Sequence, residues 1–355
     1  MMRLISIAVL LCAGIAYGAS VLEGGRVTFN LPAAKAGKVE LRGQWVKEAL
    51  PLTKGADGVW SYGPVEVPAG VWEYSFSVDG QNVIDPENSA IKPQRRPAKS
   101  ILHVPANPPA PWDWKDIPHG TLHTHVFHSK ELGVPREMVV YTPPGYEKSD
   151  ERYPVFVLQH GSGDNQRGWT EHGKAHWIMD DLIAKKKARP MIVVMLDGHP
   201  HGMVRREDTE ARDKALMAFR RELLDTALPL VESMYRVLPG RENTALAGLS
   251  MGGWQSLTVG LNALDRFAWI GSFSGAARPE ALQAVMSEGA KANEKIRLLW
   301  IACGRDDFLL AQNEALIAQL KAAGVKHEWH LTAGDHSWPV WRGYLVEFAP
   351  LLFQP

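Results

Sequence analysis

The sequence is an electrically balanced chain of 355 residues, long enough for two domains of ordinary size. Hydrophobic residues make up 45% and charged residues 22%, which is the composition of a globular protein and excludes a disordered one. Because 39 basic residues balance 39 acidic ones, the overall charge gives no reason to expect binding to nucleic acid or to an anionic membrane.

The first eighteen residues have the pattern of an export signal. Arg3 supplies a positive charge, an apolar stretch covers 4–15, and Ala16 and Gly18 place small residues where a signal peptidase cleaves. The apolar stretch is shorter than the roughly 20 residues that a membrane-spanning helix needs. We therefore predict a cleaved signal over 1–18, a secreted or periplasmic location, and no membrane association after cleavage.

Short strands and turns are predicted over 19–105. Apolar residues alternate with polar ones over 26–31 and again over 72–77, which is the pattern of half-buried strands. Asp-Gly pairs at 57–58 and 79–80 predict tight turns between such strands. No convincing helical period interrupts them, so we expect a small β-sandwich domain.

Four motifs characterise this first domain. They are VELRGQW at 39–45, DGVWS at 57–61, WEYSFSVDG at 72–80 and DPEN at 85–88. Together they resemble the early-set, immunoglobulin-like domain related to family-48 carbohydrate-binding modules. Trp45 and Trp60 are expected in the sandwich core, because buried aromatic rings dominate small cores. The alternative is that they form a platform for a sugar.

A change of pattern follows the prolines that punctuate 106–118, which we interpret as a stiff linker. From 119 to 355, short apolar runs alternate with amphipathic stretches such as 209–234. The apolar runs lie at 155–159, 191–196, 244–249, 267–273 and 296–302. Strands this apolar are buried on both faces. The alternation therefore predicts an α/β domain with a mostly parallel central sheet covered by helices.

The pentapeptide Gly248-Leu249-Ser250-Met251-Gly252 is the clearest catalytic signal in the chain. It follows a predicted strand and precedes a predicted helix over 254–261. This is the pattern of a nucleophile elbow, a sharp turn that lifts the serine oxygen above the sheet while flanking glycines let neighbouring backbone approach. We predict that Ser250 is a nucleophile. The alternative is an ordinary tight turn between a strand and a helix.

A glycine-rich loop over 160–163 follows the strand predicted at 155–159. Nucleophilic attack on an ester places negative charge on the former carbonyl oxygen, and backbone N–H groups have to meet that charge. The amide of Met251, directly after the nucleophile, is one expected donor. The amide of Ser162 in this loop is the other. We expect His160 to be structural.

The acid and the base of the mechanism are expected after Ser250 in chain order, each on a loop that follows a strand. Asp306 and Asp307 follow the strand predicted at 296–302, and because adjacent side chains diverge, only one of them is expected to serve. His336 follows the next predicted strand on a loop that begins with glycine. It is the predicted base, which takes the proton of Ser250 and returns it to the leaving alcohol.

Several motifs of the second domain point to one family. They are VYTPPGY at 140–146, YPVFVLQHG at 153–161, PMIVVM at 190–195, GLSMGG at 248–253, ACGRDDF at 302–308 and GDHSW at 334–338. In combination they resemble the esterase-D-like branch of α/β-hydrolases, and in particular carbohydrate esterase family 1, which contains feruloyl and acetylxylan esterases. The resemblance implies an α/β-hydrolase fold, Asp307 as the acid, and Ser162 as the second oxyanion donor. Trp254 departs from the family pattern and is expected to reshape the substrate pocket.

The same resemblance implies a substrate. Family members with two such domains remove ferulate or acetate from plant xylan, so plant cell-wall polysaccharide or its oligosaccharide esters are the expected partner. Trp169, His199 and Trp338 are expected around the pocket, where they suit a phenolic or sugar group. The alternative for the two tryptophans is that they pack beneath the loops.

No cofactor and no metal are expected. The histidines His119, His123, His125 and His128 form the best metal candidate, but no carboxylate or cysteine stands at a ligand spacing from them. Two other kinds of function remain open. One keeps the chemistry and changes the substrate, as in a siderophore (enterobactin-type) esterase or an acyltransferase. The other is an inactive glycan-binding protein.

Overall fold

The structure, a computed structural model, describes residues 18–21, 25–205 and 207–354. The predicted signal segment lies outside these ranges except for Gly18, which begins the first strand. Within the same ranges, no helix is both long enough and apolar enough to cross a bilayer. The chain divides into two compact units, one from Met1–Ile91 and Ala98–Val104, the other from Lys92–Pro97 and Pro105–Pro355.

The described part of the first unit forms two antiparallel sheets. Its strands are β1 (Gly18–Val21), β2 (Arg26–Pro32), β3 (Val39–Gly43), β4 (Leu50–Pro51), β5 (Thr53–Lys54), β6 (Val59–Glu66), β7 (Gly70–Val78), β8 (Gln81–Val83) and β9 (Ser100–Val104). One sheet has the order β1-β2-β6-β5, and the other has the order β4-β3-β7-β8 with β9 paired to β7. The unit is therefore rich in short strands, and its classification as immunoglobulin-like stays a prediction.

Aromatic residues from both of these sheets share one hydrophobic cluster. Phe29 lies 5.8 Å from Trp45 and 5.6 Å from Tyr74 between ring centroids. Trp60 is 8% exposed, and its indole N–H donates to the Ala33 carbonyl at 3.0 Å. Burying such rings removes large apolar areas from water. Trp45 packs against the cluster and Trp60 lies within it, in agreement with the core interpretation of both residues.

A mixed sheet forms the centre of the second unit. Its strands are β10 (Thr121–Ser129), β11 (Val134–Thr142), β12 (Val155–Gln159), β13 (Ile192–Leu196), β14 (Thr244–Leu249), β15 (Trp269–Phe273), β16 (Leu298–Gly304) and β17 (Glu328–Thr332). Their order is β10-β11-β13-β12-β14-β15-β16-β17. The first two pairings, β10 with β11 and β11 with β13, are antiparallel, and the others are parallel.

Helices cover both faces of this sheet. They are α1 (Ala175–Ala184), α2 (Thr209–Arg221), α3 (Leu228–Met234), α4 (Met251–Leu261), α5 (Gln283–Ser287), α6 (Gly289–Lys295), α7 (Leu310–Ala322) and α8 (Trp338–Phe348). In β12, Val155 and Val157 belong to one hydrophobic cluster, whereas Phe156 and Leu158 belong to the other. Alternate side chains point to opposite faces, so a strand buried on both faces reads as a continuous apolar run.

The helix predicted over 209–234 differs from the expectation in one respect. A π-helical segment, Glu222–Ala227, separates α2 from α3. Pro229 has no N–H to donate to the carbonyl four residues earlier, so the regular hydrogen-bond pattern is interrupted there. Glu222 within the segment is buried and receives a hydrogen bond from Arg136 at 3.0 Å. The π-helical segment keeps the apolar residues on the same face of the helix, so the hydrophobic periodicity of the sequence does not reveal it.

Candidate active site

Parallel strands β12, β14 and β16 end at the same edge of the sheet, and the predicted catalytic segments follow them. Ser250, directly after β14, has φ 52° and ψ −114°, a strained conformation for a residue with a side chain. Its N–H donates to the Phe273 carbonyl at 2.8 Å. A Cβ on Gly252 would lie 2.5 Å from the His160 carbonyl oxygen, so only glycine fits there. These features form the sharp turn of a nucleophile elbow.

Three predicted side chains form a continuous chain of hydrogen bonds at this edge. Nε2 of His336 lies 2.8 Å from Oγ of Ser250. On the other side of the ring, Nδ1 of His336 lies 2.9 Å from Oδ2 and 3.0 Å from Oδ1 of Asp307. All three distances are normal for hydrogen bonds. Residues from positions 250, 307 and 336 therefore come together as the sequence order suggested.

The two neighbouring aspartates lie in different environments. Asp307 is 5% exposed, whereas Asp306 is exposed. Burial opposes ionisation of Asp307, but hydrogen bonds from His336, from the Leu309 N–H and from Ser274 outweigh it and lower the pKa of the carboxyl group. The carboxylate is thus charged at neutral pH and faces the imidazole. This geometry favours Asp307 over Asp306 as the acid of the site.

The glycine-rich loop lies beside Ser250 and is held by two histidines. Nδ1 of His160 lies 2.7 Å from the Gly161 carbonyl, and its Nε2 accepts from the Gly198 N–H at 2.9 Å. His160 is 1% exposed, in agreement with a structural role. Nε2 of His199 accepts from the Gly163 N–H at 3.0 Å. These bonds fix the loop that presents Ser162.

His199 remains an acceptor over a wide pH range. Burial lowers the pKa of its imidazole to about 4, and the neighbouring His160 acts in the same direction. The ring is therefore neutral near pH 7 and keeps a lone pair for the loop. His199 also lines the cavity beside Ser250, which agrees with its predicted place around the pocket. The sequence alone gave no sign of its bond to the loop.

A cavity of about 470 Å³ opens beside Ser250, within the size range of small-molecule sites. Both predicted oxyanion donors, Ser162 and Met251, line it together with Ser250. Its apolar wall includes Leu216, Met251, Trp254 and Phe308, and its polar wall includes Arg212 and Arg278. Among the described residues, no carboxylate lines the cavity. The site therefore combines apolar surface with two guanidinium groups, and that of Arg278 is ion-paired with Asp213 outside the lining.

Two residues expected to contact substrate lie in the core instead. Trp169 is 1% exposed and Trp338 is 2% exposed, and neither lines the cavity. Their rings pack against each other at 5.0 Å between centroids. The indole N–H of Trp169 donates to the Gln159 carbonyl at 2.8 Å, which turns its ring beneath the loop. Their expected role in substrate binding is corrected accordingly, and the alternative of packing beneath the loops fits their position.

Other cavity residues were missed from the sequence. The exposed ring of Phe308 lies 4.4 Å from the His336 ring, and its place directly after Asp307 was the one available signal. Arg212 of α2 holds its guanidinium 4.7 Å above the Trp254 ring, a cation–π arrangement. The sequence indicated that Trp254 reshapes the pocket, and Trp254 does line the cavity. Nothing in the sequence linked α2 to the site.

The described residues contain no group of three His, Cys, Asp or Glu side chains arranged to hold a metal ion. Of the histidines considered for such a role, Nε2 of His125 lies 2.5 Å from the Tyr235 hydroxyl. Nε2 of His123 lies 3.0 Å from the Thr142 hydroxyl. The Nε2 atom of each of these two histidines is therefore already engaged in a hydrogen bond within the protein.

Comparison with protein families identifies the second unit. Residues 129–352 match the family model named Esterase and described as "Putative esterase". The match covers more than half of the chain and includes all three side chains of the hydrogen-bonded chain. This chain belongs to that esterase family. The esterase is a carboxylic ester hydrolase, and its second unit has an α/β-hydrolase-type fold.

Individual relatives of this esterase act on two kinds of ester. This chain is 32% identical to an endo-1,4-beta-xylanase/feruloyl esterase of Xylanibacter ruminicola. The match covers 93% of this chain and 44% of that relative's length. The chain is 28% identical to the iron(III) enterobactin esterase of Escherichia coli over 78% of this chain and 68% of that protein. Among solved structures, a CE1 ferulic acid esterase of Anaeromyces mucronatus matches with 25% identity and a TM-score of 0.58. That match covers 68% of this chain and 93% of the other.

Proposed function

We propose that this esterase cleaves esters through a covalent acyl-enzyme on Ser250, with His336 as general base and Asp307 as its orienting acid. The observation that carries the proposal is the hydrogen-bonded chain from Oγ of Ser250 through His336 to Asp307, at the wall of a cavity. This arrangement lets the imidazole accept a proton from the hydroxyl while the carboxylate fixes the tautomer and supports the resulting charge.

The chemical steps follow from that arrangement. Oγ of Ser250 bonds to the ester carbonyl carbon while its proton moves to Nε2 of His336. The N–H groups of Met251 and Ser162 are the proposed donors to the resulting oxyanion. When the tetrahedral intermediate collapses, the carbon–oxygen bond to the alcohol breaks and the alcohol takes the proton from His336. A water molecule, activated by the same imidazole, then releases the acid and restores Ser250.

The proposed substrates are feruloyl or acetyl esters of plant xylan, with feruloyl esters preferred. One support is the relative from Xylanibacter ruminicola, whose name combines a xylanase with a feruloyl esterase. The other support is the cavity, because Trp254 and Phe308 offer apolar faces suited to an aromatic acyl group. Arg212 beside Trp254 offers a donor for a phenolic or methoxy oxygen.

Hydrolysis of methyl ferulate and of methyl acetate, which release the same alcohol, tests this proposal. We expect kcat/KM for methyl ferulate to exceed that for the acetate ester, and Ser250→Ala to remove turnover of both. An acetate preference would redirect the proposal to acetyl esters. Turnover that survives Ser250→Ala would refute the mechanism, and the absence of any turnover by the wild-type enzyme would favour an inactive glycan-binding protein.

An enterobactin-type siderophore ester is the second candidate substrate. It is supported by the similarity to the enterobactin esterase of Escherichia coli and by the guanidinium groups of Arg212 and Arg278 that line the cavity. Such a lining suits the negatively charged catecholate groups of a siderophore. Parallel assays with enterobactin and methyl ferulate separate the two, because the true substrate has the larger kcat/KM. Formation of a sugar ester in the presence of excess sugar would indicate acyl transfer instead.

We further propose an immunoglobulin-like first unit, related to carbohydrate-binding modules, and export of the protein. The two antiparallel sheets with a shared core support the first of these. The charged and apolar pattern at the start of the sequence supports export. Affinity electrophoresis in a gel containing xylan tests glycan binding. N-terminal sequencing of the protein from the culture medium and the periplasm tests export, and a mature chain that retains Arg3 would contradict it.

A further inference from the structure

A short segment of the second unit, Lys92–Pro97, lies against the glycine-rich loop. In the sequence this segment falls between β8 and β9, ahead of every strand of the central sheet. Gln94 pairs with Asp164 in an isolated antiparallel bridge, and the Arg95 N–H donates to the Gly163 carbonyl at 2.9 Å. The loop is therefore held by main-chain contacts that come from a distant part of the sequence.

Asp164 connects this segment to the peptide group that contains the Ser162 N–H. The side chain of Asp164 is buried and lies 3.7 Å from Nζ of Lys92, which is also buried. The N–H of Asp164 donates to the Gly161 carbonyl at 3.3 Å, and Nδ1 of His160 lies 2.7 Å from the same oxygen. Because that carbonyl and the Ser162 N–H belong to one planar peptide group, bonds to the carbonyl set the direction of the N–H.

Four hydrogen bonds form a closed ring around Gly163. Its carbonyl accepts from the Arg95 N–H, and its own N–H donates to Nε2 of His199 at 3.0 Å. The His199 N–H donates to Oδ1 of Asp197 at 3.0 Å. Nη1 of Arg95 then closes the ring with a charge-assisted bond to Oδ2 of Asp197 at 2.6 Å. Arg95 therefore enters the ring twice, once with its backbone and once with its side chain.

The side chain of Arg95 is the more accessible of two arginines that hold Asp197. It is 32% exposed, whereas that of Arg136, which also donates to Oδ2 of Asp197 at 3.3 Å, is 11% exposed. Arg136 further donates to the backbone carbonyl of Asp197 at 2.6 Å and to the buried Glu222 carboxylate at 3.0 Å. Loss of the Arg95 guanidinium therefore leaves Asp197 with a charged partner, so the fold is expected to tolerate it.

We propose that Arg95 is a positioning residue for the ester hydrolysis, which holds the glycine-rich loop so that the Ser162 N–H points to the oxyanion. This inference rests on the proposed function of Ser250 and of its two N–H donors. Without the guanidinium, the ring around Gly163 opens and the loop samples orientations in which the Ser162 N–H points elsewhere. Complete loss of an oxyanion donor costs about 100- to 1,000-fold in kcat, so partial misalignment is expected to cost about tenfold.

Two substrates that differ only at the carbonyl group test this proposal. They are p-nitrophenyl acetate and its thiono analogue, in which sulfur replaces the carbonyl oxygen. Sulfur is the weaker hydrogen-bond acceptor, so the ratio of kcat/KM for the two esters reports how well the oxyanion donors are placed. Arg95→Met keeps an unbranched apolar stem and removes the guanidinium. We expect it to lower kcat/KM about tenfold for the oxygen ester and much less for the thiono ester, with the thermal midpoint near that of the wild type.

Two further variants at neighbouring positions serve as control and rescue. Arg96→Met is the matched control, because Arg96 is an exposed arginine of the same segment that takes no part in the ring. Both of its kcat/KM values are expected within about twofold of the wild type. Arg95→Lys is the rescue, because an ammonium group still donates to Asp197. It is expected to recover part of the ratio that Arg95→Met loses.

Asp197→Asn opens the ring from the other side, because its NH₂ group places a donor opposite another donor at one of the two carboxylate positions. We expect the same selective loss for the oxygen ester, and Arg95→Met should add little in the Asp197→Asn background. A folded Arg95→Met enzyme with wild-type kcat/KM, an equal loss on both esters, or an equal loss in Arg96→Met would overturn the inference. If Arg95→Met does not fold, a wild-type ratio in Asp197→Asn overturns it. Activity that survives Ser250→Ala would instead refute the proposed function itself.

Discussion

Replacement of Asp307 by asparagine, with Asp306→Asn as the matched control, separates the two adjacent carboxylates. In the structure, Oδ1 of Asp307 is held by the Leu309 N–H at 2.8 Å, so the amide oxygen of an asparagine takes that position. The NH₂ group then occupies the position of Oδ2, 2.9 Å from Nδ1 of His336. The amide oxygen at Oδ1 lies 3.0 Å from the same nitrogen, so asparagine offers Nδ1 a donor in competition with an acceptor. When the NH₂ group donates to Nδ1, the imidazole carries its proton on Nε2 and loses its acceptor for Ser250.

The expected loss is large because the change removes the reactive tautomer while leaving shape and packing almost intact. The analogous substitution in a serine protease lowers kcat by about 10⁴, equivalent to about 5.5 kcal/mol of transition-state stabilisation. We expect a similar fall in kcat for Asp307→Asn, with KM little changed. Asp306 is exposed and lies outside the hydrogen-bonded chain, so Asp306→Asn is expected to retain kcat within about twofold.

The assay is steady-state hydrolysis of p-nitrophenyl acetate by the two purified variants and the wild-type enzyme. Circular dichroism and thermal melting confirm that each variant is folded. A larger loss in Asp306→Asn than in Asp307→Asn would show that the acid has been assigned to the wrong residue. Equal and small losses in both would show that neither carboxylate orients the base.

The remaining predictions concern the loop, the cavity and the elbow. The pKa of His199 is lowered to about 4, so between the ordinary histidine value of about 6.5 and pH 4 the unfolded chain binds a proton that the folded chain does not. The contribution of His199 to stability is therefore expected to fall by about 2 kcal/mol between pH 7 and pH 5. Urea unfolding at the two pH values measures the change, and His199→Gln should remove this part of the dependence, whereas exposed His201→Gln should not. Burial also lowers the pKa of His176, to about 3, so its part of the dependence remains in both variants. Arg212→Leu is expected to lower kcat/KM for methyl ferulate about tenfold and to leave p-nitrophenyl acetate nearly unaffected, and equal effects on both esters would contradict a role in recognising the aromatic group. Gly252→Ala is expected to abolish activity or folding, because its Cβ would lie 2.5 Å from a carbonyl oxygen, whereas Gly343→Ala in α8 has open space and should be tolerated; activity and melting of both variants measure the difference.

The sequence predicted those parts of the site that depend on local pattern. Apolar runs located β12 and β14 at their exact positions in the chain, because strands buried on both faces contain little else. The glycines around Ser250 indicated the elbow, since backbone crowding there excludes larger residues. His336 followed from chain order. The choice of Asp307 over Asp306 came from family resemblance, and its burial and hydrogen bonds supply the physical reason.

The rest of the site depends on tertiary contacts that no local pattern encodes. Trp169 and Trp338 were expected at the pocket because they follow loops, but a ring on a loop can turn toward the core as readily as toward solvent. Arg212 reaches the cavity only because α2 packs beside α4, which carries Trp254.

Labelling of the active-site nucleophile with a fluorophosphonate, followed by peptide mass spectrometry, tests the central claim most directly. The reagent forms an oxygen–phosphorus bond with an activated serine and releases fluoride, so the modified residue is identified by its mass. We predict one adduct, on the peptide containing Ser250, together with complete loss of ester hydrolysis. An adduct on a different residue, or full labelling of Ser250 with hydrolysis unchanged, would contradict the account.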